Sequence, residues 1–296
     1  MGSMSYRTQR LLIIIGFLAV PLALLCIFTY YPAIRMVYLS FTDYNGYSAN
    51  AEWIGLDNYK TIFTNPDFFG VFLNQIPYVI VGVIQNFVAL MFAIILNSKL
   101  RGRNFFRVML FLPFIMNAVA VSFMFQYVYD TTQGSLNLLL GFLGLESLQQ
   151  SWLGNVNIVN YSLASIGFWR FMGYNMVIYL AALQSLPSDM YEAAKIDGAG
   201  RFRTIWSLTL PNMTKIIQLN MFLTLSGALS VFEYPFVLTK GGPVGASETF
   251  LLKTLETAFQ FNNFGLASAM SIVLLIFVII LLVIQNAVIE GRDKNK

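Results

Sequence analysis

Gln85, Asn86, Asn117, Arg170, Asn175, Asn220 and Glu233 are polar or charged side chains set inside long apolar runs. Against lipid each would be costly, so they must face a protein interface or a wet cavity. The chemistry open to them is hydrogen bonding and ion pairing. Nucleophilic chemistry has little to work with: the chain has no His, and its single cysteine, Cys26, sits within an apolar run. That excludes imidazole metal sites, Ser-His and Cys-His systems and an intrachain disulfide. The G-x-x-x-x-G-K-[ST] phosphate loop is also missing, so the chain does not hydrolyse ATP by itself.

A second group of residues has a spacing that points outward rather than inward. Residues 184–215 include Leu186-Pro187-Ser188-Asp189-Met190-Tyr191-Glu192-Ala193-Ala194-Lys195-Ile196-Asp197-Gly198-Ala199-Gly200. Pro187 suits a helix start, Ser188 or Asp189 can cap it, and Glu192 lies three residues after Asp189 as in a capping box. Gly198 and Gly200 permit a turn. Phe202, Ile205, Trp206 and Leu208 then recur near helical spacing, and Pro211 is expected to end that element. The product is two short helices at a bend. The small Ala193, Ala194 and Ala199 would let another protein approach the backbone closely.

The elements that position these residues follow from composition. Of 296 residues, 57% are hydrophobic and 11% charged, against roughly 25% charged in a soluble domain. The chain is therefore expected to be an all-α integral membrane protein. Six segments offer about the 20 apolar residues that a span requires: Leu11 to Tyr31, Ile76 to Leu96, Val108 to Tyr129, Tyr161 to Leu183, Ile216 to Leu238 and Leu266 to Ile289. Thirteen of the 18 Lys and Arg fall at the N-terminus (Arg7, Arg10), the second connection (Lys99, Arg101, Arg103, Arg107), the fourth (Lys195, Arg201, Arg203, Lys215) and the tail (Arg292, Lys294, Lys296). The positive-inside rule puts those regions in the cytoplasm, and an even number of spans likewise places both termini on one side. The net charge of +4 flanks membrane segments and forms no nucleic-acid patch. Met1-Gly2-Ser3 before Met4 reads as a cloning remnant, and the run after Arg10 as an uncleaved first span. Residues 1–10 are then a cytoplasmic N-terminus, 11–289 the membrane domain and 290–296 a cytoplasmic tail. The outer loop from Pro32 to Gln75 carries Trp53, Tyr59, Phe63, Phe68 and Phe69, rings suited to the headgroup level or to an external partner.

Glu192-Ala193-Ala194, Asp197-Gly198-Ala199, Ile205 and Leu210-Pro211 resemble the EAA loop of ABC importer permeases. Trp53-Ile54-Gly55-Leu56-Asp57-Asn58-Tyr59, Leu238-Thr239-Lys240-Gly241-Gly242-Pro243 and Gly265-Leu266-Ala267-Ser268-Ala269 resemble the carbohydrate-uptake branch, similar to the maltose permease pair. One departure is Lys215, where many relatives carry a second proline. The resemblance implies the type I importer permease fold, with Glu192, Ala193, Ala194, Asp197, Gly198 and Ala199 on a cytoplasmic coupling helix that seats in the ATPase. It implies a second homologous permease, two ATP-binding cassette subunits that use ATP and Mg, an extracytoplasmic solute-binding protein, and a place in a bacterial cytoplasmic (inner) membrane. This chain would bind no cofactor. The Gly241-Gly242-Pro243 turn is either a chain reversal or close to where the binding protein docks.

A sugar is recognised by aromatic faces and hydroxyl-binding polar groups. Asn117, Trp169, Arg170, Tyr174, Asn175, Ser226, Ser230, Glu233 and Tyr234 supply both kinds, and the resemblance makes them candidates to line the solute path. Arg170 and Glu233 could instead form an ion pair, with each other or with the partner permease. Trp169 and Tyr174 could simply pack, and Gln85 and Asn86 suit bonds between helices. An ion-coupled secondary transporter would more often show inverted repeats, and none is evident. A channel, or a permease for glycerol phosphate, a polyol, an amino acid or a peptide, stays open at this level.

Overall fold

The computed structural model describes residues 5–48, 51–98 and 100–293. Met1-Gly2-Ser3 with Met4, Lys99 of the second connection, and Lys294 and Lys296 of the tail lie outside the described residues. The chain divides into two compact units, Met1–Asn65 with Thr254–Val273, and Pro66–Lys253 with Leu274–Lys296. The segments expected to span are helical apart from breaks in the third and the fifth, and the described residues form no strand beyond an isolated bridge between Thr42 and Trp53.

Helix α1 covers Tyr6–Leu39, with none of its apolar window buried. It was expected to stop at Tyr31. Proline lacks the N–H that bonds four residues back, and its ring crowds that carbonyl. A π turn at Cys26–Tyr30 precedes Pro32, and its extra residue slackens the register enough for the helix to continue. In the same unit α2, Asp57–Thr64, follows the Trp53 to Tyr59 motif. Asn58 there donates to the carbonyls of Ser40 and Thr42 at 3.0 and 2.8 Å, and the Tyr59 hydroxyl meets Ser40 Oγ at 2.7 Å. Gly265 lies so close to this strand-like stretch that a Cβ would strike the Thr42 carbonyl, and its N–H donates to Tyr44 at 2.9 Å. Two of the short motifs are thus bonded around the same backbone. Trp53 stacks on Phe41 at 5.1 Å yet stays 62% exposed.

The second unit opens with α3, Pro66–Leu96, which starts ten residues earlier than the span expected there. The connection expected on the outside therefore shrinks to residues 40–65. Next come α4 (Arg103–Ile115), α5 (Ala118–Val128), α6 (Ser135–Phe142), α7 (Val159–Gln184) and α8 (Ser188–Ile196). Helix α9 runs over residues 201–229 through a π turn at Ile205–Thr209. Pro211 sits in its first α-helical turn after that π turn, so it does not end the element as its type suggested. The chain closes with α10 (Phe250–Phe259) and α11 (Phe264–Asp293).

The expected third span is not one straight rod: α4 and α5 meet at 101°. Met116 and Asn117 are extended there, and Asn117 Oδ1 caps α5 by accepting from Val119 N–H at 2.9 Å. The expected fifth span also breaks, at Ser230 after α9, before a π turn at Pro235–Thr239. Helices α1, α3 and the 264–287 stretch are long and apolar enough to cross a membrane, and the bent pair makes a fourth if it is one span. Helix α7 has 26 residues, about 39 Å at the usual rise. It has the length but, with Asn160, Arg170 and Asn175, not that apolarity. The same holds for α9 with Asn212, Lys215 and Asn220.

Helices α3, α7 and α9 make the heart of this unit, with α4 against α7. Their apolar faces form two clusters. One contains Tyr78, Val121, Val159, Leu163, Ile166 and Tyr234, the other Ala89, Ala93, Leu96, Met176, Leu183 and Met213. Along α3 and α7 a polar band separates them.

Candidate functional site: a mid-helix cavity and an exposed short helix

Where the polar band meets the first cluster lies an open, mostly apolar cavity of about 310 Å³, at the lower end of the roughly 300–1,000 Å³ typical of small-molecule sites. Tyr78, Gly82 and Gln85 of α3 line it at helical spacing, facing Phe171, Tyr174 and Asn175 of α7 and Leu223 and Thr224 of α9. The break after α9 supplies Ser230, Glu233 and Tyr234. Interrupted helices are where irregular backbone can line a cavity at membrane depth.

Five of the candidate path residues come together here: Tyr174, Asn175, Ser230, Glu233 and Tyr234. Tyr174 also stacks on Phe114 at 4.4 Å, and buried Asn175 donates to Thr224 Oγ1 at 3.2 Å. The other four are placed elsewhere. Asn117 is spent as the α5 cap. Trp169 packs edge-on to Phe125 at 5.5 Å, in the first cluster. Ser226 is half-buried on α9 and off the cavity wall. Arg170 stands behind the wall, its guanidinium donating to Tyr234 Oη at 3.3 Å and to the Met116 carbonyl at 3.1 Å.

The ion pair between Arg170 and Glu233 is absent among the described residues. The guanidinium is instead committed to the carbonyl freed at the end of α4, where a positive charge also suits the helix dipole. Tyr78, Phe171 and Thr224 were overlooked by sequence reasoning, and Gln85 was assigned to helix contacts. The spacing of Tyr78 and Gln85, seven residues apart on one face of α3, was the available signal. Asn86, on the neighbouring face, does bond across helices: its Oδ1 accepts from the Tyr179 hydroxyl at 2.7 Å.

The segment around Glu192, expected to be a coupling helix, folds as a short helix with a defined stop. Pro187 precedes α8 and no side chain caps its start. Ser188 instead turns its hydroxyl to Asp189 at 3.3 Å, so the expected capping box does not form. At the other end Gly198 takes φ +75°, a left-handed conformation that suits glycine. Ala199 N–H then bonds Ala194 O at 2.9 Å and Gly198 N–H bonds Lys195 O at 3.2 Å, the pair of bonds of a Schellman stop. Glu192, Ala193, Asp197 and Gly198 are exposed, and Ala194 and Ala199 are half-buried. Around them Ile196, Phe202 and Trp206 expose 86, 81 and 69% of their surface, an apolar group of the kind that marks an interaction face. The segment is tied to the bundle by Tyr191, whose hydroxyl meets Thr209 Oγ1 at 3.3 Å.

Residues 85–293 match the family model described as the binding-protein-dependent transport system inner membrane component. The chain belongs to this family. The permease is 33% identical over 269 residues to the probable ABC transporter permease protein YurN of Bacillus subtilis, covering 90% of this chain and 92% of that one. It is 32% identical to the multiple sugar-binding transport system permease protein MsmF of Streptococcus mutans, over 91% of this chain and 92% of that one. Its fold matches a chain of a bacterial alginate ABC transporter, solved in complex with an alginate-bound periplasmic protein, at a TM-score of 0.81 and 21% identity over 94% of each chain. The permease is thus a multi-pass inner-membrane transport component and not an enzyme.

Proposed function

We propose that this permease imports a sugar or oligosaccharide by alternating access, with the cavity between α3, α7 and α9 as its part of the solute path. The observation that carries the proposal is the composition of that cavity. Four rings, Tyr78, Phe171, Tyr174 and Tyr234, stand beside Gln85, Asn175, Thr224 and Ser230 at the middle of the helices. Rings cover the C–H faces of a sugar and amides and hydroxyls meet its hydroxyls. The sugar systems among the relatives agree with this reading.

The energy comes from separate ATP-binding subunits, which use ATP and Mg. The exposed face of α8 with Ile196, Phe202 and Trp206 is their seat, and Glu192, Ala193, Ala194, Asp197, Gly198 and Ala199 form the coupling element. A second, similar permease completes the path, and an external binding protein delivers the solute. Coupling requires that ATP binding stabilise one of two arrangements more than the other through contacts at this seat.

The complete transporter in proteoliposomes tests both parts. Glu192→Lys combined with Gly198→Pro should abolish solute-stimulated ATP turnover while the permease still assembles in the membrane. Unchanged stimulation would remove the coupling assignment. Uptake that follows an ion gradient without ATP would instead identify a secondary transporter.

A further inference from the structure

Glu233 is the one charged residue on the cavity wall among the described residues. No ion-pair partner meets it there. A carboxylate only accepts hydrogen bonds, so what it offers a solute is a seat for donors such as a pair of hydroxyls. Arg170 forms no ion pair with it: the guanidinium lies off the cavity wall, donating to Tyr234 Oη and the Met116 carbonyl. The other polar groups of the wall are neutral amides and hydroxyls.

We propose that the solute of this cavity is an electroneutral glycan, bound through hydroxyl donors to Glu233, and that Glu233 turns away acidic sugars and phosphate esters. This rests on the cavity being the sugar path. A solute carboxylate about 5 Å from Glu233, at an effective dielectric of about 20, would be disfavoured on the order of a hundredfold. The selection differs in sign from what an importer of an acidic glycan needs, although the fold is shared with one.

The test is direct binding to the complete transporter in nanodiscs, without the external binding protein, so that its own selectivity does not intervene. Saturation-transfer NMR would compare maltotriose and cellotriose with trigalacturonate and glycerol 3-phosphate. The expected result is a neutral trisaccharide bound and both anions rejected by the wild type. Glu233→Gln, which keeps the shape of the side chain, should weaken the neutral sugar by about tenfold and admit trigalacturonate. Wild-type binding of either anion as tightly as the neutral sugars overturns the inference alone. So does a Glu233→Gln transporter of normal size-exclusion profile that discriminates as the wild type does. Absence of binding by every probe counts against the sugar path itself, and the inference falls with it.

Discussion

A guanidinium in the middle of a membrane helix is tolerated here because its neighbours are broken. Arg170 supplies the donor that the Met116 carbonyl lost when α4 ended, and the same side chain holds Tyr234 at the cavity wall. Replacing it with Met leaves a half-buried acceptor unmatched, and should lower stability by about 1–2 kcal/mol, read as an earlier thermal unfolding of the detergent-solubilised complex. Arg170→Lys should recover only part, since an ammonium cannot reproduce the fork that reaches two acceptors. Polar residues inside apolar runs were legible in the sequence as belonging to an interior. Which of them met the cavity wall and which met backbone was not, because that depends on where helices break. A second residue reports on pH. Exposed Asp130 accepts from Gln133 N–H at 2.7 Å and from the Thr132 hydroxyl and N–H at 2.9 Å, contacts that hold its carboxyl below the usual carboxylate range. A lowered folded value means that the turn is held above the ordinary aspartate range and released as pH falls through the folded one. Hydrogen exchange at the Thr132 and Gln133 amides should therefore rise in acid, beyond the intrinsic rate, in the wild type. Asp130→Asn, which keeps an acceptor, should flatten that pH response.

At the scale of elements the π turns explain the two departures that occur at prolines. Proline reads in a sequence as a terminator, because the missing N–H is visible there while a one-residue slip upstream is not. Cys26–Tyr30 before Pro32 and Ile205–Thr209 before Pro211 both carry helices past the proline. The break at Asn117, within what reads as a single span, does leave a signal: Pro113, then a capping residue, then Ala118 is a stop followed by a start. The π turn of α9 sets how the coupling segment faces the bundle, since Thr209 at its end receives Tyr191. Deleting Ser207 should remove the extra residue of the π turn and close it to an α-helical turn, so that Thr209 loses its five-back bond to the Thr204 carbonyl and its seat against the Tyr191 hydroxyl. The expected outcome is a transporter that assembles but hydrolyses ATP without regard to solute, measured as equal turnover with and without it. Gly198→Ala acts more mildly. A side chain at that left-handed position costs about 1–2 kcal/mol, which should fray the stop of α8 and reduce, without abolishing, solute-stimulated turnover.

Across the whole second unit, the two ends of the bundle are chemically unlike. One end gathers Asn97 and Ser98 after α3, Leu183 of α7, Tyr191 of α8, and Arg201, Thr204 and Thr209 of α9 around a cavity of about 300 Å³. Arg107 joins them, donating to the Leu96 carbonyl at 2.7 Å and so closing the end of α3. The other end brings together Asn74, Asn160 and the 241–248 turn, through bonds from Asn74 to Gly245 and Glu248 and from Asn160 to Ala246. Residues 130–160, on that side, contain no Lys or Arg. The second and fourth connections, assigned to one side from their charges alone, thus share one end in three dimensions. That much of the architecture was legible because charge distribution and helix count constrain it independently. The direction in the membrane is then a single binary choice, and the basic end is expected in the cytoplasm. Cysteine labelling decides it in a Cys26→Ser background, with Cys26 removed because it is exposed on α1. Ser151→Cys should react with an impermeant maleimide added to intact spheroplasts. Arg203→Cys should react only after the membrane is opened. The reverse pattern would turn the bundle over, leaving α8 on the outside, where no ATP-binding subunit could reach it, and the coupling assignment would fall with the orientation.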